Sequence, residues 1–301
     1  MRVRLLRLFL CSTLGLILYS AGCAAPVKGQ SAEPPSFSHV FVIVEENEED
    51  STVLPNGARY VNQLAPQFTL LAQYYAVRHP SLPNYLALIA GDTFGITSDC
   101  LDCFVNQPSL PDQLEANNRR WRAYAEDMPT PCFVGDSGQY AQRHNPFIYF
   151  DSVRTQADRC SSGVVPFSQF STDLSQHQLP DYAFIIPNVC NDGHDCSWQV
   201  SDQWLQQVVP MIQGSSEYQD GGAIFIVWDE GSTNAGCCNG LANGGHVIFE
   251  IVSPLVKPGY VSAVPATHYS LLRTIEDAWG LPPLAHAADV TPITDVWNPA
   301  N

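Results

Sequence analysis

His39-Val40-Phe41-Val42-Ile43-Val44 is followed directly by Glu45-Glu46-Asn47-Glu48-Glu49-Asp50. The first run joins β-branched and aromatic side chains without polar alternation, which predicts a strand buried on both faces of a parallel sheet. The acidic run then marks the carboxyl end of that strand. Taken alone, such a run is more often a solvated turn than a site, so its meaning depends on the other strands.

Two further apolar runs end in the same way. Residues 182–186 form a buried strand followed by a polar segment at 187–195, and residues 223–228 form another, followed by Asp229-Glu230-Gly231. A fourth strand is predicted over 246–252, a short one over 121–125, and helices over 59–75, 81–90, 199–212 and 269–280. Strands alternating with helices predict an α/β fold around a mostly parallel sheet, in which ligands bind beyond the carboxyl ends of the strands.

A serine lies at the start of one predicted helix, in Val77-Arg78-His79-Pro80-Ser81-Leu82-Pro83-Asn84-Tyr85. Ser81 is a favourable N-cap, Pro83 fits the first turn, and Gly91 ends the apolar pattern. The N-terminus of a helix presents unpaired N–H groups and the positive end of the dipole, which suit a phosphate group. An ordinary capping role for Ser81 is the alternative.

The residues at the predicted strand ends are of types that bind metal ions or transfer protons. They are Glu46 and Asn47 after the first strand, Asn188, Asp192 and His194 after the second, Asp229 and Glu230 after the third, and His246 at the start of the fourth. Carboxylates gathered at one edge repel each other unless a cation lies between them, so the arrangement predicts a divalent metal ion. Each histidine taken singly can equally be a hydrogen-bonded structural residue.

The first 23 residues are typical of an export signal, with Arg2, Arg4 and Arg7 before an apolar run at 8–19. Ala21-Gly22-Cys23 is similar to the end of a lipobox, so we expect either membrane anchoring through a lipidated Cys23 or simple release into an extracytoplasmic space. Residues 24–36 are predicted to be a flexible leader, and 37–301 a single catalytic domain with a loop-rich, disulfide-pinned insertion around 100–180.

Charge and cysteine content agree with export. The formal net charge is −16 at pH 7, and it becomes more negative by three when the signal arginines are removed, which argues against nucleic-acid binding. Eight cysteines remain beyond the signal, an even number that favours disulfides over a zinc site in an oxidising compartment. The pairing closest in sequence would be Cys100–Cys103, Cys132–Cys160, Cys190–Cys196 and Cys237–Cys238.

Six ordered motifs together resemble a known family. They are Glu46-Asn47, the 79–85 segment, Pro187-Asn188 with Asn191-Asp192-x-His194-Asp195, Trp228-Asp229-Glu230-Gly231, Gly244-Gly245-His246-Val247, and the segment from Thr267-His268 to Asp277. This combination resembles the bacterial phosphoesterase family of acid phosphatases and phospholipases C, within the alkaline-phosphatase superfamily. The resemblance implies an alkaline-phosphatase-like three-layer sandwich.

The resemblance also implies roles at the matching positions. Ser81 would be the nucleophile and a metal ligand, and the other metal ligands would be Glu46, Asn47, Asp229 and Glu230. The remaining motif residues would handle protons or substrate: His79, His194 and His246 as catalytic residues, and Asn84, Asn188 and Asp192 as substrate-binding residues. Except for Asn84, these residues could alternatively complete a second metal site. Because this ligand set is rich in oxygen and poor in histidine, we expect Ca²⁺, Mg²⁺ or Mn²⁺ rather than a pair of zinc ions.

The function implied is that of an exported, metal-dependent acid phosphatase that hydrolyses phosphate monoesters, including phosphoinositides, through a phosphoserine intermediate. Its partner would be a small-molecule or lipid-headgroup phosphate ester; no nucleic acid is expected, and no protein partner is inferred. One alternative is a phospholipase C or phosphodiesterase of the same family. A second is a metal- or ligand-binding lipoprotein without catalysis.

Overall fold

The computed structural model describes residues 33–54 and 56–299. Its centre is an eight-stranded sheet in the order β5-β4-β6-β1-β7-β8-β2-β9. The strands are β1 (Val40–Glu45), β2 (Thr69–Leu71), β4 (Trp121–Ala125), β5 (Val164–Pro166), β6 (Tyr182–Ile186), β7 (Ala223–Trp228), β8 (Phe249–Val252) and β9 (Tyr260–Ser262). A separate two-stranded ribbon pairs β3 (Tyr74–Tyr75) with β10 (Ala266–Thr267).

The middle of the sheet explains why its strands are continuously apolar. Strand β1 pairs in parallel with β6 on one side and with β7 on the other, and all of its residues are buried. A strand with both faces and both edges covered has no place for polar alternation. The register sets Glu45 opposite Trp228, so the residues that follow β1 and β7 emerge side by side. The predicted α/β fold with a mostly parallel sheet is confirmed.

Ten α-helices lie among the described residues. They are α1 (Asp50–Val53), α2 (Val61–Leu64), α3 (Ser81–Ala90), α4 (Leu110–Ala116), α5 (Asp151–Arg154), α6 (Ala157–Gly163), α7 (Ser168–Ser175), α8 (Trp198–Gln213), α9 (Ser216–Gln219) and α10 (His268–Trp279). Helix α3 is buried along its whole length, packs against α10, and ends at Gly91 in the left-handed conformation, as predicted.

The predicted helix over 59–75 is wrong. Only α2 forms there, and the chain then enters β2, which fills the sheet position between β8 and β9. The pairing of β2 with strands on both of its sides, and of the aromatic β3 residues with β10, outweighs the local helical pattern. The fourth strand is shorter than predicted, since it begins at Phe249 and not at residue 246. It runs antiparallel to β7.

The segment around 100–180 contributes regular secondary structure to the fold as well as loops. Besides two short 3-10 helices at Gln142–His144 and Pro146–Tyr149, it provides β4 and β5 on one side of the sheet. The disulfides pair as expected: Cys100–Cys103, Cys132–Cys160, Cys190–Cys196 and Cys237–Cys238.

The export-signal prediction, with Cys23, lies outside the described residues. Among the helices of the described part, none has the length and apolar character needed to cross a membrane.

Candidate active site

Ser81 is the first residue of α3 and is buried among carboxylates. Its Oγ lies 3.1 Å from Oε2 of Glu46 and 3.2 Å from Oε1 of Glu230, and it donates its one hydrogen between these two acceptors. Glu46 follows β1 and Glu230 follows the neighbouring strand β7, so the sheet order itself brings both side chains to the start of α3. Ser81 is not the N-cap that the sequence predicts, because Pro80 holds that position.

The start of α3 offers fewer free N–H groups than the sequence suggests. The N–H of Leu82 donates to Oδ1 of Asp99 at 3.0 Å, and Pro83 has no N–H to offer. The predicted phosphate cradle at this helix end is therefore reduced, and a phosphate group here would depend on cations.

Asn84 shapes the loop before the helix. Its Oδ1 accepts the N–H groups of Val77 and Arg78, both at 2.9 Å, and its Nδ2 donates to the carbonyls of Arg78 and Pro80. These four bonds use most of the capacity of a buried amide. These contacts hold the loop that leads to Ser81, and contact of Asn84 with substrate stays a prediction.

The Asp229 carboxylate belongs to the same group of acids as Glu46 and Glu230. Its Oδ1 accepts the N–H of Asn47 at 3.1 Å, while Oδ2 is fully buried and has no hydrogen-bond partner in the described chain. The carbonyl of Asp229 accepts a hydrogen bond of 2.6 Å from Nε2 of His268. His268 belongs to the sixth motif but is absent from the predicted site, and burial lowers its pKa to about 4, so it is a neutral donor.

The carboxylates at this edge hold protons at unusually high pH. Burial, reinforced by the neighbouring negative charges, raises the pKa of Glu46 and of Asp229 well above the ordinary value. Burial also raises the pKa of Glu230 to about 7 and that of Asp192 to about 7. Carboxyl groups that are this close together and this deeply buried either keep their protons or bind a cation between them.

The second oxygen of Glu46 faces two residues that the sequence did not single out. Oε1 accepts a hydrogen bond of 2.5 Å from the Tyr85 hydroxyl, and it lies 3.2 Å from Nε2 of His144. Nε2 of this buried histidine has no hydrogen-bond partner among the described residues. Together with His194, Glu46 and His144 form a group whose ligand atoms are close enough to hold a metal ion.

Asp192 and Asn188 organise this second group. Asp192 lies 3.0 Å from Nδ1 of His144 and accepts the N–H of His194 at 2.8 Å, so it orients His144 toward Glu46. Asn188 binds Asp127 through Nδ2 and accepts the N–H groups of residues 190 and 191, which fixes the loop. Both side chains are committed within the protein, although the sequence predicts that they bind substrate.

The three predicted catalytic histidines lie in different surroundings. His79 contacts Glu230 through Nδ1, donates from Nε2 to the Thr233 carbonyl at 2.8 Å, and lines a cavity of about 430 Å³. His194 has its Nε2 3.2 Å from Nη2 of Arg143.

His246 has its own contacts. It lies 3.1 Å from Asp50 and 3.0 Å from the Ala72 carbonyl, and it stacks on Tyr75. No described hydrogen bond joins it to Ser81 or to the carboxylates around it.

The comparison with protein families agrees with this geometry. A model of the Phosphoesterase family matches residues 54–282. This chain belongs to the phosphoesterase family. The matched span is most of the sequence, and it contains Ser81, Asp229, Glu230 and the helix α10 motif.

Relatives of this phosphoesterase are named as phosphatases. It is 34% identical over 280 residues to a phosphatidylinositol-3-phosphatase of Mycobacterium tuberculosis, covering 91% of this chain and 88% of the relative. It is 31% identical over 269 residues to an acid phosphatase of Aspergillus fumigatus, covering 84% of this chain but only 57% of that longer protein. The predicted phosphoric monoester hydrolase is confirmed, and neither alternative function is favoured.

Solved structures share the fold of this phosphoesterase. A protein of the alkaline phosphatase superfamily from Vibrio parahaemolyticus aligns with a TM-score of 0.56 at 10% identity, over 83% of this chain and 69% of that one. A phosphonate monoester hydrolase from Silicibacter pomeroyi aligns with a TM-score of 0.54 at 11% identity, over 85% and 76%. At such identities the similarity establishes the fold alone, and the predicted alkaline-phosphatase-like fold is confirmed.

Proposed function

We propose that this phosphoesterase is an exported, metal-dependent acid phosphatase that cleaves phosphate monoesters with Ser81 as the nucleophile. The observation that carries the proposal is the position of the Ser81 hydroxyl, 3.1 Å from Glu46 and 3.2 Å from Glu230 at a sheet edge. A hydroxyl that only capped a helix would bond to backbone N–H groups instead of to two buried carboxylates.

The residues fit a divalent cation. The unpartnered Oδ2 of Asp229 and the raised pKa values of Glu46, Asp229 and Glu230 are what a set of oxygen ligands shows without its cation. The residues that would hold the ion are Glu46, Asn47, Ser81, Asp229 and Glu230. When bound, the cation supplies a lowered pKa at the serine hydroxyl and positive charge for the phosphoryl oxygens.

Glu46, His144 and His194 add a donor set with two imidazoles, in which the sequence singled out Glu46 and His194 but not His144. Oxygen ligands favour Mg²⁺, Ca²⁺ or Mn²⁺, whereas imidazole suits zinc and other transition metals. We propose a hard ion at the Ser81 group, and metal analysis of the purified protein identifies it.

The protein's own residues account for both displacements. A neighbouring carboxylate, Glu46 or Glu230, accepts the Ser81 proton while Oγ forms a bond to phosphorus and the bond to the leaving oxygen breaks. His79, which lines the cavity and contacts Glu230, donates a proton to the departing alcohol. Water then attacks the phosphoserine and gives a proton back to His79. As the bond between Ser81 Oγ and phosphorus breaks, the carboxylate returns its proton to Oγ, and phosphate leaves with Ser81 restored.

Arg143 is the cation best placed to recognise the phosphate group. Its guanidinium lies beside His194 at the Glu46–His144–His194 group, and in the described chain it has no carboxylate partner. A guanidinium without a close ion pair offers charge-assisted hydrogen bonds to a phosphate dianion in a chain that is otherwise strongly negative.

The substrate class and location follow from the relatives and the disulfides. Because a relative covering most of the chain is named a phosphatidylinositol-3-phosphatase, we propose that phosphoinositide monoesters are among the substrates. Four disulfides support an extracytoplasmic location. Lipidation of Cys23, as against release, is tested by mass spectrometry of the mature N-terminus.

The test compares Ser81→Ala with Ser171→Ala, which removes an exposed hydroxyl from a cavity that contains neither His79 nor Glu230. Activity is measured on p-nitrophenyl phosphate and bis-p-nitrophenyl phosphate, with and without chelator, and acid-quenched protein is analysed for phosphoserine. We expect Ser81→Ala to lose about a thousandfold in kcat and all phosphoserine. Near-normal activity of Ser81→Ala would contradict the assignment of Ser81 as the nucleophile. Cleavage of the diester as fast as the monoester would favour the phosphodiesterase alternative. Full activity after chelation would contradict the metal requirement.

A further inference from the structure

A second polar cavity lies at the end of the sheet opposite to the Ser81 site. Its volume is about 260 Å³, and its lining includes Arg119, Arg120, Arg122 and Arg159. We refer to it as the arginine cavity. Arg119 and Arg120 immediately precede β4, so the cavity opens at the amino ends of the parallel strands. The Ser81 site lies beyond their carboxyl ends, and the lining residues of the two sites do not overlap.

Guanidinium groups outnumber carboxylates among the side chains that line the arginine cavity. Four guanidinium groups line it against a single carboxylate, that of Glu115. Three of the arginines are paired with carboxylates that are not among the lining residues, namely Asp181, Asp173 and Asp112. The fourth arginine, Arg120, forms no ion pair with a described residue, which leaves a local cation in a chain with 14 basic and 30 acidic residues.

The one acidic lining residue is already engaged. Oε1 of Glu115 accepts hydrogen bonds from the Trp121 indole at 2.6 Å and from Nε of Arg159 at 2.9 Å. Its charge is therefore directed at Arg159 and fixed there by the indole. It does not neutralise Arg120 or Arg122.

Donor groups remain free around the cavity. The guanidinium of Arg120 donates only to the carbonyls of Gln178 and Leu179, at 3.3 and 2.8 Å, so its charge has no anionic partner in the described chain. Nη2 of Arg159 is buried and has no hydrogen-bond partner among the described residues. A buried charged donor left without an acceptor is unfavourable, and an oxyanion with several acceptor oxygens would satisfy it.

We propose that the arginine cavity is a binding site for a small oxyanion of the class of inorganic phosphate, separate from the catalytic site. Its volume lies below that of cavities that hold drug-sized ligands, which suits a tetrahedral anion better than a nucleotide. Guanidinium groups match the oxygen geometry of phosphate. The site would therefore bind the product of the phosphatase reaction at a place remote from the chemistry.

Calorimetric titration with inorganic phosphate tests the proposal in protein stripped of divalent ions by chelation, because the carboxylates around Ser81 then repel phosphate. We expect the wild-type protein to bind phosphate, Arg120→Gln to bind it at least tenfold more weakly, and Arg120→Lys to fall between them. Arg59→Gln, which removes an equal charge from an exposed position lining a different cavity, should bind like wild type.

The thermal midpoint and the kcat/KM of the metal-restored enzyme are measured on each variant. Both should stay close to wild type in Arg120→Gln, because this side chain is exposed and distant from Ser81. Absence of phosphate binding by the stripped wild-type protein would overturn the proposal. So would equal affinities in Arg120→Gln and wild type, since binding would then occur elsewhere. Neither result bears on Ser81, so the proposed function is tested independently.

Discussion

The Tyr85 hydroxyl lies 2.5 Å from Oε1 of Glu46, while Ser81 donates to the other oxygen of the same carboxylate at 3.1 Å. The two donors are four residues apart on α3, so one helical turn places both on the same side. The Tyr85 ring also stacks on His144, with centroids 5.3 Å apart and planes at 5°. Helix α3 therefore holds both carboxylate oxygens of Glu46 in position. Through Tyr85 it also packs against His144, a second candidate metal ligand.

Tyr85→Phe should weaken metal binding. The ring keeps its stacking on His144, but Glu46 loses the donor that fixes its orientation, and loss of such an outer contact lowers metal affinity about ten- to a hundredfold. Metal titration of the stripped protein measures this, and activity should recover at saturating metal. Tyr149→Phe, which removes a buried hydroxyl that bonds to the Cys100 carbonyl, is the matched control. Equal metal affinity in the two variants would contradict an orienting role.

Chelation should destabilise the protein at pH 8 far more than at pH 5. The folded pKa values of Glu230 and Asp192 are about 7, and those of Glu46 and Asp229 are higher than ordinary, so the metal-free fold binds more protons than the unfolded chain. Its stability therefore falls as pH rises from about 4 through 7. Thermal midpoints with and without chelator at pH 5, 6, 7 and 8 give the difference. A chelator effect independent of pH would argue against carboxylate ligands.

Arg143→Gln should reduce kcat/KM for monoesters about ten- to a hundredfold, because the dianionic phosphate loses its charge-assisted hydrogen bonds. Arg143→Lys keeps the charge without the planar fork and should retain an intermediate value. The diagnostic measurement is the ratio of monoester to diester hydrolysis, which should fall in Arg143→Gln since a diester carries less charge. Arg59→Gln again controls for net charge. A uniform loss on both substrates would indicate a structural role for Arg143.

The positions of Glu46, Ser81, Asp229 and Glu230 were predictable because each follows or begins an element with a strong local pattern. Strands buried on both faces have no polar alternation, so β6 and β7 form over the predicted residues. His144 carries no such signal. It lies in a single 3-10 turn within a segment of weak periodicity, and only the tertiary fold brings it to Glu46.

Tyr85 was within reach of sequence reasoning, since residues four apart on a helix share a face. The backbone contacts of Asn84 and Asn188 were not, because an amide side chain binds backbone and substrate equally well. Which of the two it binds depends on loop geometry that residue type does not encode.

Glu276→Gln should stabilise the protein at neutral and alkaline pH. This residue of α10 is fully buried, one of its oxygens accepts the Leu284 N–H, and the other has no hydrogen-bond partner in the described chain. Burial raises its pKa to about 8, so wild-type stability declines as pH rises from about 4.5 to 8. The neutral amide avoids this loss, on the order of 4 kcal/mol at pH 8, with little change at pH 4.5.

Denaturant unfolding at pH 4.5 and pH 8 measures the Glu276→Gln effect. Asp220→Asn removes a carboxylate from an exposed position and should leave the slope of stability against pH unchanged. If Glu276→Gln and wild type showed the same slope, Glu276 would not be protonated in the fold.

Gly231→Ala should impair catalysis by displacing Glu49. A Cβ at Gly231 would lie 2.4 Å from Oε1 of Glu49, the oxygen that accepts the Thr233 N–H at 3.0 Å and the Thr233 hydroxyl at 2.6 Å. The Thr233 carbonyl in turn receives the hydrogen bond from His79. Moving Glu49 therefore loosens the contact that positions His79, and we expect kcat to fall about tenfold or more with a smaller change in KM. Overpacking should lower the free energy of unfolding by about 1 to 3 kcal/mol.

Gly214→Ala, whose Cβ would approach no heavy atom closer than 3.4 Å, is the control and should change stability by less than about 0.5 kcal/mol. Normal kcat in a folded Gly231→Ala protein would separate His79 from the Thr233 loop and leave its orientation to Glu230 alone.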